Sequence, residues 1–231
     1  MAAGTPRLWT MNESLESSER HFRIVELHPS RSLIINRDEI SDYLRDAAER
    51  DPGASYDEIE FRSLSRVPTP VLLISDPAYA PPLFFEGFNY VSRRLREVLG
   101  LPADVVHCQE VDASGCVELA RSAGYTTFQA LHVADPIDRE RSDGDWVDTI
   151  ERDGSPGRMW MPTGGPTRPA PRIVIRPDFV PPAAVFRQPN GGAPVVTNEV
   201  AERVLRAGIT DMMFVELGQE RGQTEIVCKT P

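Results

Sequence analysis

The 231-residue chain is 40% hydrophobic, long enough to bury a core as one domain or as two closely packed halves. Its formal net charge of −10, from 35 acidic against 25 basic side chains, gives an average field that repels nucleic acid and draws in a basic partner. Cys108, Cys116 and Cys228 are an odd number in a chain too large to need stapling, which suits free thiols in a reducing compartment. No apolar run reaches signal-peptide or bilayer-spanning length, so the expectation is a cytoplasmic protein with no membrane partner.

The polar stretch Met11 to Arg20 reads as the end of a flexible leader over residues 1–20, followed by one α+β domain over 21–231 or by two packed halves, 21–89 and 90–231. Phe22 to Leu27, ending at His28-Pro29, reads as a first strand. Ile40, Tyr43, Leu44, Ala47 and Ala48 recur at helical spacing behind Asn36 and Glu39, which resemble a capping box, and Asp51-Pro52-Gly53 stops the helix. Ile59 and Phe61 alternate with charged residues as a strand with one wet face, and Val71 to Ile74 makes another. Asp76 to Asn89 holds three prolines and four aromatics and predicts an ordered loop pinned by its rings.

Ser92 caps a helix through Leu99 that Gly100 ends, leading to a strand from Asp104 to Val111. Val195-Val196-Thr197, a helix through Ala207, Gly208 and a strand from Asp211 to Leu217 repeat that order, which fits either an internal duplication or a common sequence of elements. Between the two units lie a strand from Tyr125 to Val133, a charged turn, and short strands at Trp146 to Ile150, Arg158 to Met161, Arg172 to Ile175 and Ala184 to Arg187. Pro162 to Pro171 is a loop or internal linker. Many short strands and about three short to medium helices predict an α+β fold with a mostly antiparallel sheet.

Candidate chemistry is sparse. His107, Cys108 and Cys116 lack the paired spacing of a metal site, and adjacent strand residues point to opposite faces. Gly164-Gly165 and Gly191-Gly192 lack the residues that complete a phosphate or dinucleotide loop, so no cofactor is expected, and the four histidines give no catalytic triad. Asp143, Asp145 and Asp148 do not meet calcium-loop spacing. What does stand out is clustered acid: nine acids against four Arg from Arg37 to Arg62, and seven against three from Asp138 to Asp153, together almost all the net charge. Either these are faces kept for solubility or they meet a basic protein. On the second reading the partner-binding candidates are Asp42, Asp46 and Glu49 on the helix, with Asp138, Glu140, Asp143 and Asp145 on the turn.

The passage Tyr125 to Val133 followed by Ile137-Asp138-Arg139-Glu140-Arg141-Ser142 resembles a segment of a bacterial immunity-protein family, the eleventh of the polymorphic toxin systems. Arg172 to Ile175, Val185-Phe186-Arg187, Val195 to Val200, Gly208-Ile209 and Phe214-Val215-Glu216 resemble its closing pattern, with Asp211 where a glycine is expected, and Tyr90 to Leu95 resembles an earlier helix start. The resemblance spans Tyr90 to Leu217 and leaves the first ninety residues outside it. It implies a cytoplasmic antidote that binds a toxin, a basic nuclease among the possibilities, with no catalytic residue. Asp138 and Ser142 read as braces of their turn, with Ile137 as its anchor. Two other classes stay open: a small-molecule-binding protein or enzyme with a pocket around His107, His132 and Tyr125, or a regulatory adaptor that uses the aromatic loop from Tyr79 to Tyr90.

Overall fold

A computed structural model describes residues 6–27, 32–51, 64–150, 156–163, 171–189, 193–218 and 225–228. The strand expected around Ile59 and Phe61 and the glycine pairs at 164–165 and 191–192 lie outside the described residues. In chain order the elements are β1 (Leu8–Glu13), α1 (Leu15–Leu27), α2 (Arg37–Arg50), β2 (Leu83–Glu86), β3 (Phe88–Val91), α3 (Arg93–Leu99), β4 (Val106–His107), α4 (Glu118–Ala123) and β5 (Thr126–Ala130). There follow β6 (Gly144–Ile150), β7 (Pro156–Pro162), β8 (Val185–Phe186), β9 (Val195–Thr197), α5 (Asn198–Arg206), β10 (Met212–Leu217) and β11 (Glu225–Cys228). The α+β class holds, with five helices among the described residues where three were expected, because α1 and α4 lack an apolar stripe that periodicity could detect.

The strands form a five-stranded sheet ordered β11-β10-β1-β9-β8, a four-stranded sheet ordered β2-β3-β5-β4, and the isolated ribbon β6-β7. Every pair of named strands is antiparallel. The two cap-helix-strand units occupy equivalent places: β3-α3-β4 is split by β5, and β9-α5-β10 is split by β1. Each is a βαβ unit whose parallel strands never touch, since an antiparallel strand lies between them. The first unit takes its central strand from its own chain neighbourhood, whereas the second takes it from the N-terminus.

That strand corrects the reading of residues 1–20 as a flexible leader. Leu8, Trp9 and Met11 are buried, Leu8 pairs with both Leu217 and Thr197, and the Trp9 indole donates to Asn198 Oδ1 at 3.0 Å. Ser14 then starts α1, its Oγ accepting from Ser17 N, so Phe22 to Leu27 is helix and not a strand. The aromatic segment is likewise more regular than expected. Gly87, at φ +75°, turns β2 into β3, and Phe84 stacks on Tyr90 at 4.9 Å inside the protein.

The sheets alternate cleanly between cores. Trp9, Met11, Leu83, Val91, Phe128, Val196 and Phe214 meet α3 and α5 in the largest core, through Leu95, Leu99, Val200 and Val204. Phe84, Tyr90 and Tyr125 point the other way, into a second core with Ile40 of α2 and Ala120 of α4. Leu8, Val195 and Phe186 line a third, with Ile175 and Phe179. Ser92 caps α3 by accepting from Leu95 N, and Gly100 closes it in the left-handed region. The helices α3 and α5 also satisfy each other's terminal carbonyls: Arg94 donates to Ala207 O, and Arg203 to Leu99 O at 2.7 Å. Asn36 does not cap α2 through its side chain; it donates to Glu39 and Thr69 O and accepts from Val71 N, tying the helix start to a neighbouring segment.

Trp9→Ala removes a fully buried ring and its hydrogen bond, and is expected to cost about 3–5 kcal/mol, whereas Phe22→Ala, at a ring 68% exposed on α1, should leave the chemical-denaturation midpoint nearly unchanged. Leu95→Asp and Val200→Asp should each abolish the cooperative transition, since an unpaired carboxylate would sit in the largest core.

Candidate partner-binding surface

The β6-β7 ribbon belongs to none of the three cores. In its register Trp146 faces Trp160 and Asp148 faces Arg158 on one side, while Asp145 faces Met161 and Val147 faces Met159 on the other. The first side carries cations over its rings, although Trp146 stays 46% and Ile150 78% exposed. The guanidinium of Arg139 lies 5.0 Å from the Trp146 ring and that of Arg158 lies 5.9 Å away, while Trp160 rests so close over Gly144 that a Cβ there would overlap the indole. The second side is bare, with Val147 44%, Met159 39% and Met161 46% exposed.

The root of the ribbon is the Ile-Asp-Arg-Glu-Arg-Ser turn, and its residues brace it as expected. Asp138 Oδ1 accepts from Arg141 N, Ser142 Oγ donates to Asp138 O at 2.6 Å, and Ser142 Oγ in turn accepts from Val174 N. Half-buried Ile137 bridges to Ile175. Asp143 accepts from Arg172 N at 3.0 Å and pairs with the Arg172 guanidinium. Asp138 and Asp143 are therefore committed to scaffold, while Glu140 and Asp145 are exposed and make no hydrogen bond or ion pair among the described residues.

On α2, Asp42 pairs with Arg45 at 2.6 Å, and Asp46 and Glu49 stand exposed on the same stripe. The structure roots the two acidic groups in different places: α2 packs on the second core, whereas the turn is tied to residues 172–176 beside the third. No hydrogen bond or ion pair joins α2 to the turn among the described residues.

Sequence reasoning missed a groove of about 580 Å³ beside α1, lined by Leu15, Phe22, Phe85, His21, Glu86 and Arg37. At its inner end His21 sits between two carboxylates, Nε2 3.1 Å from Glu86 Oε1 and Nδ1 3.5 Å from Glu13 Oε2. Glu86 also accepts from Ser32 Oγ and Leu33 N, and Glu13 from Ser17 Oγ and Tyr79 Oη. Burial opposes the charge on His21, but the hydrogen bonds it donates to Glu13 and Glu86 outweigh it and push its pKa up to about 9. An imidazole that holds its proton at neutral pH is not available there as a general base, and its two ion pairs make the cluster a clamp.

The other candidate chemistry does not assemble. His107 lies beside a cavity of about 450 Å³, His132 faces Asp104 O, and Tyr125 Oη donates to Pro81 O in the second core, so the three do not converge. Cys116 is buried with its sulfur between Leu72 O and Ile74 N, away from His107 and Cys108. Among the described residues no group of three or more His, Cys, Asp and Glu could hold a metal ion, and no helix is long and apolar enough to cross a membrane. The aromatic segment is mostly core, with Tyr79, Phe84, Phe88 and Tyr90 buried, which leaves Phe85 as its exposed ring.

A family model described as an immunity protein family (Imm11) matches residues 11–219. The chain belongs to the Imm11 family. No curated protein matches the chain. The match takes in most of the first ninety residues, which the sequence resemblance left outside, so the second half of β1, all of α1 and the His21 clamp lie within the matched span. In this Imm11 protein the Asp138 to Ser142 motif is a structural brace, and it positions the ribbon that projects beyond it.

The clamp gives a pH signature with a definite sign. The folded pKa of His21 stands above its ordinary 6.5, so its contribution to stability is complete below about 6.5 and is lost as pH rises through about 9. Glu86 works the other way. Burial would raise its pKa, but bonds from His21, Ser32 and Leu33 hold it below the ordinary value, so its contribution is lost as pH falls. The melting temperature should decline between pH 6.5 and 9, and His21→Gln should lower stability at pH 6.5 and flatten that decline.

Proposed function

We propose that this protein neutralises a cognate bacterial toxin by stoichiometric binding, without turnover, in the cytoplasm of the cell it protects. The observation that carries the reading is the Imm11 match over residues 11–219. The charge supports it: a chain of net charge −10 is steered towards a basic partner, and a nuclease, whose cleft must bind phosphates, is the toxin class that fits best.

The test is co-expression with the toxin encoded beside this chain's gene. Growth should be rescued only when the antidote is made in at least equal amount, and the pair should purify as a complex of fixed ratio. Rescue by a small fraction of an equivalent would indicate turnover and overturn the reading. Asp42, Asp46 and Glu49 are proposed to contribute steering from α2, and Glu140 and Asp145 from the turn. Reversing either set should slow association at low salt, with little effect once the Debye length falls to about 8 Å near physiological ionic strength. An association rate indifferent to both salt and reversal would reduce these acids to solubility features.

A further inference from the structure

We propose that the bare side of the β6-β7 ribbon, Val147, Met159 and Met161 with Asp145 beside them, is the surface that seats against the toxin, in an apolar groove flanked by a cation. The proposal rests on the immunity reading and adds to it the place of contact. An isolated two-stranded ribbon is marginal in water, and stable ones pack a face on something. Neither side is covered by a core, but the tryptophan side presents the guanidinium groups of Arg139 and Arg158 over Trp146, which would repel a basic partner, while the methionine side presents apolar side chains and Asp145. Its three apolar residues are contiguous, Val147 opposite Met159 and Met161 two positions further along the same strand. Methionine is flexible and polarisable, and so suits a face that must adapt to a partner.

Charge decides what the partner is. Asp145 stands opposite Met161 and forms no ion pair with a described residue; neither does Glu140 at the root, whose neighbours Arg139 and Arg141 pair with Asp135 and Asp138. Burying this side against a second copy would bring further carboxylate from a chain that also carries −10. A basic protein with an apolar groove satisfies both the methionines and Asp145. The anchored turn below holds the ribbon in place, which lowers the ordering cost of binding.

The experiment uses the whole protein and the toxin encoded beside it. Hydrogen exchange of the unmodified protein should slow over residues 144–150 and 156–162 when the toxin is added. The variant Val147→Ser/Met159→Ser/Met161→Ser should keep the wild-type melting temperature and bind about tenfold to a hundredfold more weakly. Asp145→Lys should lower the association rate in a salt-dependent way. Unchanged exchange in the ribbon, or wild-type affinity in the folded triple variant, overturns the proposal and leaves the immunity reading standing. Self-association of the unmodified protein that the triple substitution abolishes, with toxin binding intact, assigns the face to a second copy and also overturns it. If the unmodified protein fails to bind the toxin at all, the immunity reading falls and this proposal with it.

Discussion

The antiparallel docking of β1 between β9 and β10 is the contact on which the rest of the molecule depends. It closes the larger sheet, delivers Trp9 and Met11 to the largest core and Leu8 to the third, and places Glu13 where the strand ends. From there the chain turns at Ser14 into α1 and brings His21 back against the same Glu13, with Glu86 of β2 on its other side. One strand thus fixes the five-stranded sheet and, through a charged clamp, ties it to the four-stranded sheet. A buried imidazolium between two carboxylates is tolerable because each carboxylate also accepts hydroxyl or backbone donors; removal of one member would leave uncompensated charge.

Scaffold and surface divide along chemical lines in the acidic turn. Carboxylates that accept backbone N–H groups, Asp138 and Asp143, set the turn and its link to residues 172–174. Glu140 and Asp145 are exposed and accept nothing from the described residues, which leaves them the candidates to meet another molecule. A braced root holds its direction whatever the ribbon above it carries.

The elements legible in the sequence were those whose buried face is apolar. The periodic Ile40, Tyr43 and Leu44 of α2, the capped α3, and α5 with β10 were read within a few residues of their observed bounds. The helix α1 was missed because the buried side chains on it and at its cap are polar, Ser14, Ser17 and His21, while Leu15 and Phe22 face outward. Strand β1 was hidden by its place at the start of the chain and by Thr10 and Asn12, whose polar side chains gave the segment the look of a solvated tail. The strands of the β6-β7 ribbon were found, but their charge drew the eye from their apolar content. That both faces carry large apolar residues with no helix to cover them becomes visible only once the register pairs Val147 with Met159 and Trp146 with Trp160.

The place of β1 also sets an order in time. Leu8 leaves the ribosome about two hundred residues ahead of its partner Leu217. At about 5–20 residues per second the slot that receives β1 is completed on the order of 10–40 s after the strand emerges. Throughout that interval Trp9 and Met11 have no sheet to join, and the clamp built on Glu13 lacks its foundation. Under the proposed antidote role, the stock of completed protein, and not its rate of synthesis, would set the margin of protection.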